Sequence, residues 1–546
     1  MKLPRTLLTL TLLTAFLVAS GSARTRSPEN QVFQFAHTAT SAPWPDGSTR
    51  SATLYLWVPE QCARVRGLVI LATNVPEHML VGHEAIRRAC RENDLALVWG
   101  VPTFWRFGKV APAPGAEPVD VKALSGSDAR QVEFLEQLLA GLAGKSGYDE
   151  IARVPWLPIG ESGHLLMVTG LVNERPARCL AAICVKNPQP PKNFTVPMLW
   201  TLGTGQEWGQ AKVDLRVHWK NVGRPAAWAA ERAQRDWPLS LIVEPGTGHF
   251  YCSDAMAEHF GRYIAAAARA RLATDGSHAL RPITPGDGTL AALPLPGADA
   301  ADARFWFFND NLARDAQQLS TTNWDAAPQL VGWVPGRGVR AEPFALNSVT
   351  KLHITTDGEF EVSAELLPAI PEGFVAAGAP LAAAAGAPVV EWICGPIAPV
   401  APGKFRIALD RTWKTGAACY LIARHEGDAH TRRTVQPAHV TLVENQDGAA
   451  QTITFAPLPD VPPDIASRPL NAESSAGLPV EFFVVSGPAI VRDGRLVFTP
   501  VPPRAKWPVE VTVAAWQWGR ATAPRVRTAE IERRTFRLTA PTAHTP

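Results

Sequence analysis

The chain has 546 residues, three to four times the roughly 150 of a typical single domain, which excludes one small domain and points to two to four units. Apolar residues at 46% against 19% charged supply ordinary cores and exclude a wholly disordered chain. Lys plus Arg at 53 against Asp plus Glu at 50 leaves a formal charge of +3, too weak a field to steer a polyanion, so no nucleic-acid partner is expected.

Met1 to Ala23 sets Lys2 and Arg5 before the apolar run Leu7 to Val18 and closes on small residues, the order of an export signal. That run is shorter than the about 20 residues a bilayer span requires. Residues 1–23 are therefore expected to be cleaved, leaving a secreted or periplasmic protein with no transmembrane anchor. Seven cysteines, at 62, 90, 179, 184, 252, 394 and 419, are too few for a disulfide scaffold. Cys394 with Cys419, or Cys62 with Cys90, are the pairings open to an oxidising compartment.

Residues 24–272 alternate short β-rich runs with helical stretches, the pattern of a mostly parallel sheet with helices on both faces. The strand segments are Leu54 to Val58, Gly67 to Leu71, Leu95 to Trp99, Trp156 to Ile159, Leu180 to Val185, Met198 to Leu202 and Leu239 to Val243. Asp128 to Ala143 places Val132, Leu135, Leu138, Leu139 and Leu142 on one helical face, and Ala255 to Leu272 is an Ala-rich helix. Residues 273–345 turn rich in Pro, Gly, Asp and Ala and read as a linker with one aromatic patch, Phe305-Trp306-Phe307-Phe308. In residues 346–456 the helical period disappears, and Leu352 to Thr355, Asp357-Gly358 and Phe360 to Ala364 read as a hairpin in a β-rich unit. A proline cluster at Pro457 to Pro463 opens a third unit, 457–546, of short alternating strands. Its runs Leu478 to Ala489, Leu496 to Thr499 and Arg534 to Leu538 resemble the bacterial immunoglobulin-like modules appended to exported proteins, which implies a β-sandwich.

Val154-Pro-Trp-Leu-Pro-Ile-Gly-Glu-Ser-Gly-His164 runs an apolar strand into a sharp turn and then into the helix-compatible Leu165 to Val168. A serine at such a turn stands clear of the backbone, and the next amide can face a developing oxyanion. Ser162 is thus the candidate nucleophile and Gly163 the candidate oxyanion donor. Strand, turn and helix here resemble the nucleophile elbow of the α/β-hydrolase superfamily over about residues 50–272. One position departs from the pattern: His164 stands where that family carries a small residue.

The resemblance implies an α/β-hydrolase-type sheet followed by two β-rich, sandwich-like modules, and it implies a serine hydrolase acting on carboxylic esters without metal or organic cofactor. It implies a base in the loop after the last strand, where Glu244-Pro-Gly-Thr-Gly-His249-Phe250 presents His249. It implies an acid after the preceding strand, where Gly203-Thr-Gly-Gln-Glu207-Trp208 offers Glu207, with Asp214 the alternative and Asp254 and Glu244 further off. A second oxyanion donor is expected after Leu68 to Leu71, from Thr73 or Asn74. Phe104-Trp105-Arg106-Phe107 is the expected substrate wall through Trp105 and Phe107, with Glu161 and His164 beside the nucleophile.

Two other classes stay open. His78 and His83 are five apart, off one helical face, and no H-E-x-x-H motif exists, so metal chemistry has no support. The 18 tryptophans allow a non-catalytic protein that binds carbohydrate or a cell surface through its β-modules. A serine peptidase would use the same machinery as an esterase, and a polysaccharide-linked ester is the substrate class that accessory modules suggest.

Overall fold

The computed structural model describes residues 27–541 apart from 45–46, 107–108, 111–118, 121–126, 187, 206–213, 216–223, 296–302, 322–323, 325, 343–348 and 356. The expected export signal lies outside the described residues. Eight strands form the main sheet: β1 (Phe35–Thr40), β2 (Ser51–Trp57), β3 (Gly67–Leu71), β4 (Leu95–Val101), β5 (Trp156–Glu161), β6 (Ala182–Val185), β7 (Met198–Gly203) and β8 (Leu239–Glu244). Their order is β1-β2-β4-β3-β5-β6-β7-β8. β2 is antiparallel to β1 and β4, and every later pairing is parallel.

From β3 to β8 every strand residue is buried, because helices cover both faces and leave no polar side to the pleat. Those helices are α1 (Val75–Val81), α2 (Glu84–Glu92), α3 (Ser127–Ser146), α4 (Leu165–Glu174), α5 (Arg224–Gln234) and α6 (Asp254–Arg271). This mostly parallel sheet with helices is the α/β arrangement expected of the first domain. Parallel strands all present their carboxyl ends on one edge, so the loops after β3, β5, β7 and β8 converge there.

The first domain does not stop at Leu272. The stretch read as a linker holds a hairpin, β9 (Thr289–Ala292) with β10 (Arg304–Phe307), and a helix, α7 (Asp310–Thr321). Phe305, Trp306 and Phe307 are fully buried. Ser240 of β8 donates to the carbonyl of Trp306, and the Val243 amide donates to Ser320 Oγ at 3.0 Å. Hairpin and helix therefore cover β8, the outer strand of the sheet, and a Pro- and Gly-rich composition concealed them.

Two further sheets follow. One joins β11 (Val331–Pro335), β14 (Glu359–Leu366), β17 (Lys404–Ile407) and β16 (Ile397–Ala401). The other joins β12 (Val339–Ala341), β13 (Thr350–Ile354), β19 (Thr434–Thr441), β18 (Tyr420–His425) and β15 (Val389–Cys394). Leu352, Phe360, Phe405, Leu421 and Val440 bring both sheets into one buried cluster. The last unit is also β-rich, with Glu481–Ser486, Val509–Trp516 and Glu532–Leu538 forming one of its two three-stranded sheets among the described residues. A continuous apolar cluster runs from the main sheet through Ile393, Tyr420 and Val435 to Val511 and Phe536. The β-rich units are packed onto the first domain, not tethered to it. All seven cysteines are buried, and no disulfide joins them.

Candidate active site

Ser162 follows the last residue of β5 and opens the turn into α4 with φ at +51°. A non-glycine residue in that left-handed region is strained, and such strain concentrates where a side chain must be presented. The turn is tight. A Cβ on Gly160 would meet the backbone of His164 and the side chain of Val168, so only glycine lets the strand and the following helix approach this closely.

His249 reaches the serine from the loop between β8 and α6, its Nε2 standing 2.7 Å from Ser162 Oγ. The imidazole is 22% exposed, open enough to meet a substrate and covered enough to hold one orientation. Glu161 Oε1 lies 3.1 Å from the same Nε2, and that carboxylate is buried completely.

The elbow is braced from α1. Glu77 Oε1 accepts the Glu161 amide at 2.8 Å, and Asn74 Nδ2 donates to the Glu161 carbonyl at 3.1 Å. Both ends of the residue before the nucleophile are thereby fixed by side chains four positions or fewer apart on one helix start. His164 Nδ1 donates to the same Glu77 carboxylate, at 2.8 and 2.9 Å to its two oxygens. Glu77 and His164 are 0% and 1% exposed. The His164 imidazole is buried on the Glu77 carboxylate of α1, where a substrate contact was expected.

The other expected residues are placed as follows. Asn74 caps α1, its Oδ1 accepting the Val75 amide at 3.0 Å, so both ends of its side chain are engaged and only its backbone N–H is available to an oxyanion. Thr73 turns its hydroxyl to the Gly100 carbonyl. Trp105 is 1% exposed and packs against α4 at Gly170, which makes it core and not a substrate wall. Glu207 and Phe107 lie outside the described residues. Asp214 is described, in the segment after β7, beside the buried Leu215. Asp254 pairs with His83 at 3.3 Å, and Glu244 accepts from Ser253 Oγ, so both carboxylates are engaged away from Ser162.

Glu77 was not found by sequence reasoning. Its signal was present: Asn74-Val-Pro-Glu77 has the spacing of a helix-capping pair with proline at an early position. That spacing reads as a local cap, whereas the carboxylate serves a turn 84 residues away.

No protein-family profile matches the sequence, and no curated protein is similar to it. Among solved structures, similar chains include esterases, a depolymerase and serine hydrolases. The LpqC poly(3-hydroxybutyrate) depolymerase of Bordetella parapertussis matches at 17% identity and a TM-score of 0.26, over 42% of this chain and 88% of its own. The fluorophosphonate-binding serine hydrolase FphF of Staphylococcus aureus matches at 10% and 0.25, over 43% and 98%. The esterase of the archaeon Pyrobaculum calidifontis matches at 12% and 0.28, over 44% and 88%.

Proposed function

We propose that this chain is a serine hydrolase that cleaves carboxylic esters through an acyl-enzyme. The observation that carries the reading is Ser162 held at a positive φ with its Oγ 2.7 Å from His249 Nε2. Ser162 Oγ attacks the acyl carbon while its proton passes to Nε2, which an alcohol of pKa far above 7 requires at neutral pH. The Gly163 and Asn74 amides receive the oxyanion. The imidazolium returns its proton to the leaving alkoxide, and water then repeats the sequence on the acyl-enzyme to release the acid. Glu161 stabilises the imidazolium between the two transfers. Glu207, or Asp214 in its place, orients the ring.

Export through residues 1–23 is part of the same proposal, supported by the charge and apolar order of that segment. Carbohydrate-linked esters are its proposed substrate class, supported by the β-rich units carried on the same chain.

Turnover of p-nitrophenyl acetate tests the reading. The wild-type protein hydrolyses it, and His249→Ala lowers kcat/KM by about 1,000-fold or more. Equal rates in the two folded proteins would remove His249 from the mechanism.

A further inference from the structure

The loop that carries His249 is held by the first β-rich unit. Glu244 ends β8 with its carboxylate 2% exposed, and it closes the base of the loop by accepting from Ser253 Oγ, the N-cap of α6. Arg433 Nη1 of the β-rich unit donates to the same Glu244 Oε1 at 2.9 Å. Arg433 is itself fixed by Glu426, whose Oε2 is 2.6 Å from Nε. The two backbones touch as well: Gly246, at φ +70°, leaves no room for a Cβ against the Arg433 carbonyl.

The neighbouring residue reaches the other loop of the site. Arg432 is 8% exposed, and its Nη2 donates at 3.0 Å to the carbonyl of Leu215, next to Asp214 in the segment after β7. Gln329 Nε2 in turn donates to the Arg432 carbonyl at 2.8 Å. Arg433 thus grips the loop that carries the proposed base, and Arg432 binds beside Asp214, the alternative acid. A third contact lies beside the base: Phe250, adjacent to His249, packs on Tyr420 of β18 with ring centroids 5.2 Å apart.

We propose that Arg432 and Arg433 are positioning residues for the hydrolase centre, so that the first β-rich unit completes the catalytic machinery. The inference rests on the serine-hydrolase reading above. A histidine loop loosened by one ångström loses its approach to Ser162, and misplacements of that size cost about 100-fold in rate. A half-buried arginine bound by two carboxylates, as Arg433 is by Glu244 and Glu426, suits this task because the guanidinium fork fixes direction as well as distance.

The test uses the full-length protein with p-nitrophenyl acetate, whose small size keeps KM insensitive to remote binding. Arg433→Ala is expected to lower kcat by 10- to 100-fold with KM changed less than 3-fold, and Arg433→Lys to recover part of the loss. Glu244→Gln with Arg433→Ala should lose little more than the worse single variant, because the arginine acts through that carboxylate. A folded Arg433→Ala protein, or a folded Arg433→Lys protein where alanine fails to fold, that keeps wild-type kcat while its melting temperature falls would overturn the proposal and leave Arg433 a merely structural link. A wild-type protein with no ester turnover would instead sink the underlying reading, so the two failures are distinguishable.

Discussion

The two halves of the candidate centre are held in different ways. Ser162 is braced from within its own domain, by Glu77 and Asn74 of α1 on the residue before it and by His164 on the same Glu77 carboxylate. His249 is braced from outside, through Glu244 and Gly246, by a unit whose strands begin after residue 330. On the proposed reading, presentation of the nucleophile therefore rests on contacts within the first domain alone. Alignment of the proposed base rests on a contact between units, which would tie activity to the docking of a domain that bears no reacting atom.

That difference can be broken most severely at the serine. Ser162→Ala should lower ester turnover by about 10,000-fold or more while leaving the thermal midpoint within a degree or two, because Ser162 is only half-buried and is no part of the apolar core. Steady-state kinetics beside a melting curve checks both halves. Retained turnover would remove Ser162 from the reaction.

Truncation is expected to separate folding from domain count. A protein ending at Leu272 loses Phe305, Trp306 and Phe307 from β8, a burial worth about 5 kcal/mol or more in sum. It should be insoluble or bind a hydrophobic dye, whereas one ending after α7 at Thr321 should retain the sheet but turn over esters poorly. A compact, fully active protein ending at Leu272 would contradict both the domain boundary and the external bracing of His249.

Glu77→Ala tests the internal brace. It leaves the Glu161 amide and the His164 ring buried without their acceptor, a loss of about 3 to 5 kcal/mol in denaturant unfolding. Glu77→Gln should cost less, since its amide oxygen can still accept one of the two bonds. Equal stability of Glu77→Ala and wild type would mean the brace is not needed.

The smallest effect is expected far from the site, where Arg411 lies over Phe33 and Tyr55 of the first domain and Phe483 of the last. Burial pushes the neighbouring Asp410 carboxyl up to about 6, although the Thr412 amide donates to it at 2.8 Å. Its folded pKa exceeds the unfolded one, so the folded state binds more protons between about pH 4 and 6, and stability falls as pH rises through that window. Asp410→Asn should remove up to about 2 kcal/mol of this pH dependence without changing ester turnover at pH 7. Unfolding curves at pH 4, 5 and 7 measure it, and an unaltered slope would contradict the assignment.

The legible parts of the molecule were those written locally. Short apolar runs marked the buried strands, and Gly160 to Gly163 and Gly246 to Phe250 marked two turns at strand ends, since tight turns require particular residues at particular places. Long-range partners were not legible. Glu77, His164 and Arg433 each acquire their contacts from a residue far along the chain. Phe104 to Phe107 shows the opposite error: an aromatic run in a loop looks like a binding wall, yet Trp105 is buried on α4. The hairpin at residues 289–307 was hidden by the turn-forming residues around it.

The central claim is an activated serine, and intact-mass analysis after incubation with a fluorophosphonate tests it most directly. One adduct on the wild-type protein, lost in Ser162→Ala and formed far more slowly in His249→Ala, is the predicted result. A well-folded wild-type protein that gains no mass, or one whose adduct survives Ser162→Ala, would contradict it.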